Sequence, residues 1–315
     1  MTSWGVAGRG GGLAFPSASP GLDVCGMGAV RPAPVSTTCT KQVDASGLPG
    51  AVGSASPGDR ICVRGKSADR LTVSRSGAPG NPIMIIGDGR TAVKGITVTG
   101  SHVVVQGFDV VGAKAPGIQL TGNNITVLNN TVRSPRGGDG DGIRFFGNNL
   151  QILHNTISDV RNLNKAHADC MQTFATDSDS PASKQVHIDS NRCEKIDNQC
   201  LIAEGPNSSA GDGSGKGVSS NITFTHNFCD TKASQAVMVD DVQNMVITAN
   251  NVTGKNQKAF ALDNKSTGAR ISGNTVAQDI GYEVGMDSTS RKGYQGPKVG
   301  GEPFLGRSPV MAGRS

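Results

Sequence analysis

Two stretches decide the fold: Asn123–Val132 reads NNITVLNNTV and Asn148–Ile157 reads NNLQILHNTI. Each runs apolar, any, apolar, two residues, Asn, any, apolar. The pattern returns in Lys184–Cys193 (KQVHIDSNRC), Ser220–Cys229 (SNITFTHNFC), Gln243–Val252 (QNMVITANNV) and Thr267–Val276 (TGARISGNTV). Ser101–Val110 (SHVVVQGFDV) fits with Phe108 at the Asn position. The asparagines are Asn130, Asn155, Asn191, Asn227, Asn250 and Asn274, with spacings of 25, 36, 36, 23 and 24 residues. A second short apolar-alternating segment accompanies each unit: Gly117–Leu120, Gly142–Phe145, Cys170–Thr173, Cys200–Ala203, Ala236–Val239 and Ala259–Leu262. Self-similarity at such a period marks a solenoid. Period-2 strands bounded by Gly and Asn turns predict an all-β, right-handed parallel β-helix, each coil about 4.8 Å from the last. Val, Ile and Leu stack inside, and the Asn column is expected to form a side-chain hydrogen-bond ladder at a bend. A leucine-rich repeat would need a helical half-unit, which the pattern lacks.

Composition agrees. The 315 residues include 44 Gly, about twice the usual share of roughly 7%. Nine Phe, two Tyr and one Trp are too few for an aromatic-rich core. The glycines show no three-residue period, which excludes collagen, and charge is too sparse for a coiled coil. No long charge-free apolar run exists, so no membrane span is expected. Net charge is +5 and its lysines and arginines are scattered, so no nucleic-acid partner is expected. A mild positive field suits a polyanionic sugar polymer, and equally suits ordinary solubility.

Residues 1–38 are rich in Gly, Ala, Pro and Ser, without periodicity, and read as disordered or loosely attached. The β-helix domain spans 39–287, and 288–315 reads as a flexible tail. The long units carry insertions at 161–168 and 204–219, expected as loops on one side, where function concentrates.

Leu48–Gly65 (LPGAVGSASPGDRICVRG) resembles the opening of pectate-lyase-like right-handed β-helix proteins, in which a short N-terminal capping helix precedes the first strand. Gly77–Gly87 (GAPGNPIMIIG) and Ser101–Phe108 resemble the first coils of alginate-lyase-like and chondroitinase-B-like members. The resemblance implies a secreted enzyme acting on an acidic polysaccharide, often with calcium. The Lys/Arg catalytic pair of the alginate-lyase-like members has no matching motif here.

Seven cysteines, at 25, 39, 62, 170, 193, 200 and 229, with no CxxC pair, fit disulfides in an oxidising compartment better than a zinc site. Secretion follows from cysteines and fold, since no basic n-region with an apolar core opens the chain. Cys193 with Cys229, and Cys170 with Cys200, are column partners on adjacent coils and are expected to pair. Cys39–Cys62 would fasten the N-terminal cap, leaving Cys25 over.

In a strand, alternate residues face outward. Ile143 and Phe145 point in, so Arg144 and Phe146 point out. Two outward columns follow: Gln119, Arg144, Gln172, Ile202, Met238, Ala261; then Thr121, Phe146, Phe174, Glu204, Asp240, Asp263. The richest segment is Asn164–Phe174 (NKAHADCMQTF). His167 beside Asp169 makes a usable general base, Asp169 orienting the imidazole. Arg144, one coil away, suits a substrate carboxylate, with Gln172 and Lys165 assisting. Gln119 joins the same outward column as a binding residue. Phe146 and Phe174 are candidates for an exposed sugar platform, unless the loops cover them. Glu204, Asp240 and Asp263 form a carboxylate ladder that suits calcium, a retaining hydrolase pair, or merely solvated strand ends. Asp139-Gly-Asp141 is a second calcium candidate, or simply a turn. Three function classes follow: a polysaccharide lyase on a uronate polymer, a glycoside hydrolase using Glu204 and Asp240, and a non-catalytic carbohydrate-binding β-helix. A monomer is expected.

Overall fold

The computed structural model describes residues 38–67, 69–163, 167–175, 180–208 and 218–300. Alternation of apolar residues builds a stack of coils, each contributing one strand to a first sheet and a bent pair to a second. The first sheet has nine parallel strands: Leu71–Val73, Ile96–Val98, Ile118–Leu120, Ile143–Phe145, Met171–Thr173, Leu201–Glu204, Gln235–Asp240, Lys258–Asp263 and Tyr282–Met286. Their register matches the expected columns, with Ile118, Ile143, Met171, Leu201, Val237, Phe260 and Val284 stacked in turn. All seven are fully buried. A short helix, Leu48–Gly53, caps the N-terminal end with Leu48 and Val52 inward.

The second sheet bends at the asparagines. In the strand pairs Ile125–Leu128/Thr131–Arg133 and Lys184–Asp189/Arg192–Ile196, only two residues separate the halves. The first of the two takes a left-handed conformation: Asn129, His154, Ser190, His226 and Ala249 lie at φ 52–55°, and Gly273 at 64°. The second is the ladder asparagine. Asn155 donates from its backbone N to Asn191 Oδ1 at 2.9 Å and from Nδ2 to Val127 O at 3.0 Å. Asn191 repeats this with Asn227 Oδ1 at 2.8 Å and Ile152 O at 2.8 Å. The ladder runs unbroken from Asn130 to Asn274, and Phe108 N starts it by donating to Asn130 Oδ1 at 3.1 Å. Asn191→Leu removes the acceptor of Asn155 N and the donor to Ile152 O in a dry column. The expected loss is roughly 1–3 kcal/mol, read as a lower denaturation midpoint; an unchanged midpoint removes the ladder's role.

Three disulfides are present among the described residues: Cys39–Cys62, Cys170–Cys193 and Cys200–Cys229. The first matches expectation; Cys193–Cys229 and Cys170–Cys200 do not form. Cys193 and Cys229 are indeed in-register partners. In parallel strands, however, such partners project side by side into the coil interior rather than at one another. Each cysteine instead meets the one facing it across its own coil. Cys25 lies outside the described residues.

The tail boundary moves. Ser288–Ser290 forms a 3-10 turn capped by Asp287, whose carboxylate accepts from Ser290 N at 2.9 Å. Gln295 and Val299 then bridge to Arg270 and Val284 on the last coil. The stretch 288–300 is therefore packed rather than flexible, because the final coil needs a cover for its open backbone groups. Residues 1–37 and 301–315 lie outside the described residues. Among the described residues, no helix is long and apolar enough to cross a membrane.

Candidate functional site

The chain enters each first-sheet strand through a tight corner. At Gly142 a Cβ would lie 2.4 Å from Ile157 Cγ2 and 2.6 Å from Cys170 O, so only Gly lets the corner stack on the next coil. This places Asp141, the residue before it, directly beneath Asp169. Both carboxylates are wholly buried. Asp141 Oδ1 accepts from Asp169 N at 3.0 Å, and Asp169 Oδ1 accepts from Gln199 N at 2.8 Å. The second oxygen of Asp169 faces His167, with Nδ1 and Oδ2 3.1 Å apart. The expected His167–Asp169 pair is thus assembled at the loop-to-strand junction. The His167 ring is 56% exposed, which leaves its outer edge open to a ligand. Its basicity is raised, chiefly by the hydrogen bond to Asp169. Burial pushes Asp169 up to about 6.

Arg144 departs from the expected free fork. Its Nε donates to Asp141 Oδ2 at 3.1 Å and its Nη2 to Asp139 Oδ2 at 2.8 Å. The Asp139/Asp141 calcium candidate is therefore already paired with the Arg144 guanidinium. Nη1 keeps no partner among the described residues, so one edge of Arg144 remains for a ligand. The guanidinium lies 5.3 Å from the Phe174 ring centre.

The sugar platform is corrected. Phe146 is 1% exposed, and Phe174 meets it edge-on at 4.9 Å and 78°. Phe146 is closed off and offers no open ring face; Phe174 is half-buried. Gln119 and Gln172 stand in register with Arg144 as expected. Gln119 is half-buried, while Gln172 is buried and its Oε1 has no hydrogen-bond partner. Lys165 lies outside the described residues, as do parts of both insertions.

Glu204, Asp240 and Asp263 are in-register neighbours. Glu204 and Asp240 are buried, and beside them Gly205–Ser208 makes a turn in which Ser208 N donates to Gly205 O at 3.2 Å. Asp241 Oδ2 holds that turn by accepting from Asn207 N at 2.7 Å and Asn207 Nδ2 at 2.9 Å. Burial, then Asp240, pushes Glu204 up to about 7. Asp240 and Asp263 are raised by burial first. Neighbouring carboxylates raise both further. Asp240 Oδ1 is buried without a partner, an atom a cation would satisfy. Yet neighbours about 4.8 Å apart along a straight column do not surround one ion. Among the described residues no three His, Cys, Asp or Glu side chains converge to hold a metal. The ladder does not fit a calcium cage of about six to eight oxygens.

Glu204 gives a pH prediction. Its carboxyl is easier to protonate folded (about 7) than unfolded (4.5). The Glu204 contribution to stability is therefore fully present below about pH 4.5 and is lost as pH rises through about 7. Glu204→Gln is expected to stabilise the protein at pH 8 by on the order of 2 kcal/mol and to change nothing at pH 4. Denaturation curves at the two pH values check this; equal effects at both would remove the buried-charge account.

Sequence reading missed Asn198 and Gln199. They hold on the next coil the positions of Ala168 and Asp169, and the parallel runs Ala168-Asp169-Cys170 and Asn198-Gln199-Cys200 carried the signal. It also missed Ser180–Ser183, an irregular stretch in the same unit. Two concave surfaces of about 430 and 380 Å³ lie at the N-terminal end, near Asp44, Arg64 and Asp88 and near Leu48, Arg70 and Thr72. An extended polymer needs an open groove along a sheet, so the chemistry rather than cavity size locates the candidate site.

Residues 81–276 match the family described as the right handed beta helix region, and the chain belongs to that family. Pectate lyase Pel9A has a similar fold, at 12% identity and a TM-score of 0.50, over 86% of this chain and 82% of that one. The PL6 family alginate lyase AlyGC is similar at 10% identity and a TM-score of 0.50, over 78% of this chain. The chain spans only 40% of AlyGC. An alginate lyase from Paenibacillus sp. str. FPU-7 matches at 16% identity and a TM-score of 0.49, over 82% of this chain and 99% of that one. No curated protein sequence matches the chain. At these identities the likenesses to Pel9A and AlyGC show the fold alone.

Proposed function

We propose that the protein is a secreted polysaccharide lyase that cleaves a uronate-containing polymer by β-elimination. The observation that carries this reading is the hydrogen-bonded His167–Asp169 pair, half open to solvent, one coil from the free edge of Arg144. The open edge of Arg144 binds the uronate carboxylate and draws charge from C5 as the proton leaves. His167, held by Asp169, takes that proton from C5. The electron pair forms the C4–C5 double bond and the C4–O4 bond breaks. Water at the open side of His167 returns a proton to the departing O4, since the Glu204 carboxyl is buried. Half-buried Phe174 and Gln119 stand beside Arg144. Three disulfides support export to an oxidising compartment.

A second reading, glycoside hydrolysis, draws on one observation. Glu204 and Asp240 are in-register neighbours, near the spacing of a retaining carboxylate pair, and Glu204 has the raised pKa of a general acid. Their burial counts against it. Incubation with a panel of uronate and neutral polysaccharides, read as loss of polymer size, tests the substrate class. Cleavage confined to uronate polymers supports the proposal; cleavage confined to neutral ones overturns it.

A further inference from the structure

We infer that Asn198 is a positioning residue that holds the pair as a carboxylate beside a neutral imidazole, the state in which His167 can accept a proton. The inference rests on the reading of His167 as the base. Asn198 is 9% exposed and reaches back one coil from the corner before Leu201–Glu204. Its Nδ2 donates to Asp169 Oδ1 at 2.9 Å, which fixes the amide's orientation, since its oxygen there would face a carboxylate oxygen. With Gln199 N on the same oxygen at 2.8 Å, Asp169 gains two donors that favour its ionised form.

The same Nδ2 lies 3.0 Å from Nδ1 and 3.0 Å from Nε2 of His167. An atom equally near both ring nitrogens sits over the ring, not along one lone pair. With one amide hydrogen on Asp169, the other is shared between Gln199 Oε1 at 3.2 Å and the ring face, and an N–H at a π-face is favourable to a neutral ring and unfavourable to a cation. The charged groups facing His167 are Asp169 beside it, Asp141 one coil before and Glu204 one coil after, and all three favour the protonated ring. Among the described residues, Asn198 is a polar side chain placed to oppose them. Asp169 orients the imidazole; Asn198 keeps it unprotonated.

The test is an NMR titration of the His167 Cε1–H signal in the full chain, assigned with His167→Gln, for wild type, Asn198→Ala and Asn198→Asp. The expected result is a His167 pKa higher by about 0.5–1 unit in Asn198→Ala and by more in Asn198→Asp. The acid limb of the pH–rate profile should move by the same amount, which a merely structural role would not produce. Asn198→Asp raises the ring pKa partly by its own charge, so Asn198→Leu, similar in size and without an N–H, decides the matter if Asn198→Ala does not fold. An unchanged or lowered ring pKa overturns the inference. If the ring pKa rises but no polymer is cleaved, Asn198 keeps its role and the lyase reading fails. If a uronate polymer is cleaved while the ring pKa stays put, the lyase reading stands and the role of Asn198 falls.

Discussion

His167→Ala is expected to lower the cleavage rate by about 10²–10⁴ while leaving the denaturation midpoint close to wild type. The two readouts separate because of where the residue sits. Its ring is 56% exposed and packs on the rim of the coil, so little burial is lost. What is lost is the group that, in the proposed mechanism, takes the proton from C5. Asp169→Asn behaves differently. That carboxylate is wholly buried and accepts from Asn198 and Gln199 while facing His167, so stability falls together with rate. Steady-state kinetics and a thermal melt on both variants check the contrast. Near-normal activity in His167→Ala, with Glu204→Gln inactive, moves the catalytic centre to the Glu204–Asp240 pair.

The second large effect is on stability. Replacing Cys200 and Cys229 together by Ala opens a bridge of sequence separation 29. Loop-closure entropy sets the expected loss at about 3–4 kcal/mol, read from urea denaturation. The loss has a functional side. Cys170 follows Asp169 and Cys200 follows Gln199, so both bridges pin the corners that hold the His167 site. A loosened corner is expected to lower kcat below the melting transition as well. Peptide mapping without reduction should recover Cys170 linked to Cys193 and Cys200 to Cys229. A stability loss below about 1 kcal/mol would say the bridge does not constrain the unfolded chain.

The coil register was legible because it rests on period-2 alternation and on one side chain with a unique role. Asn191 can donate to one coil and accept from another, so the spacing of such residues alone marks the bends. The same register placed Arg144 beside Gln172. Contacts that cross between columns were not legible. Which cysteine faces which depends on the coil's cross-section, and column membership alone led to Cys193–Cys229. Phe146 faces outward as expected, yet it is closed off at the edge of Phe174, and alternation says nothing of what covers an outward face. Arg144 looked free because Asp139 and Asp141 sit in a turn whose closing direction the sequence does not give. Asn198 escaped notice because its partners are one coil back, although its column position was available.

The most direct test of the central claim is the near-ultraviolet absorbance of the products. β-Elimination leaves a C4–C5 double bond conjugated to the carboxylate, which absorbs there, whereas hydrolysis leaves none. With a uronate polymer that the protein shortens, the account predicts an absorbance rise that tracks the shortening and disappears in His167→Ala. Shortening that yields only saturated ends, with no rise in absorbance, would contradict it.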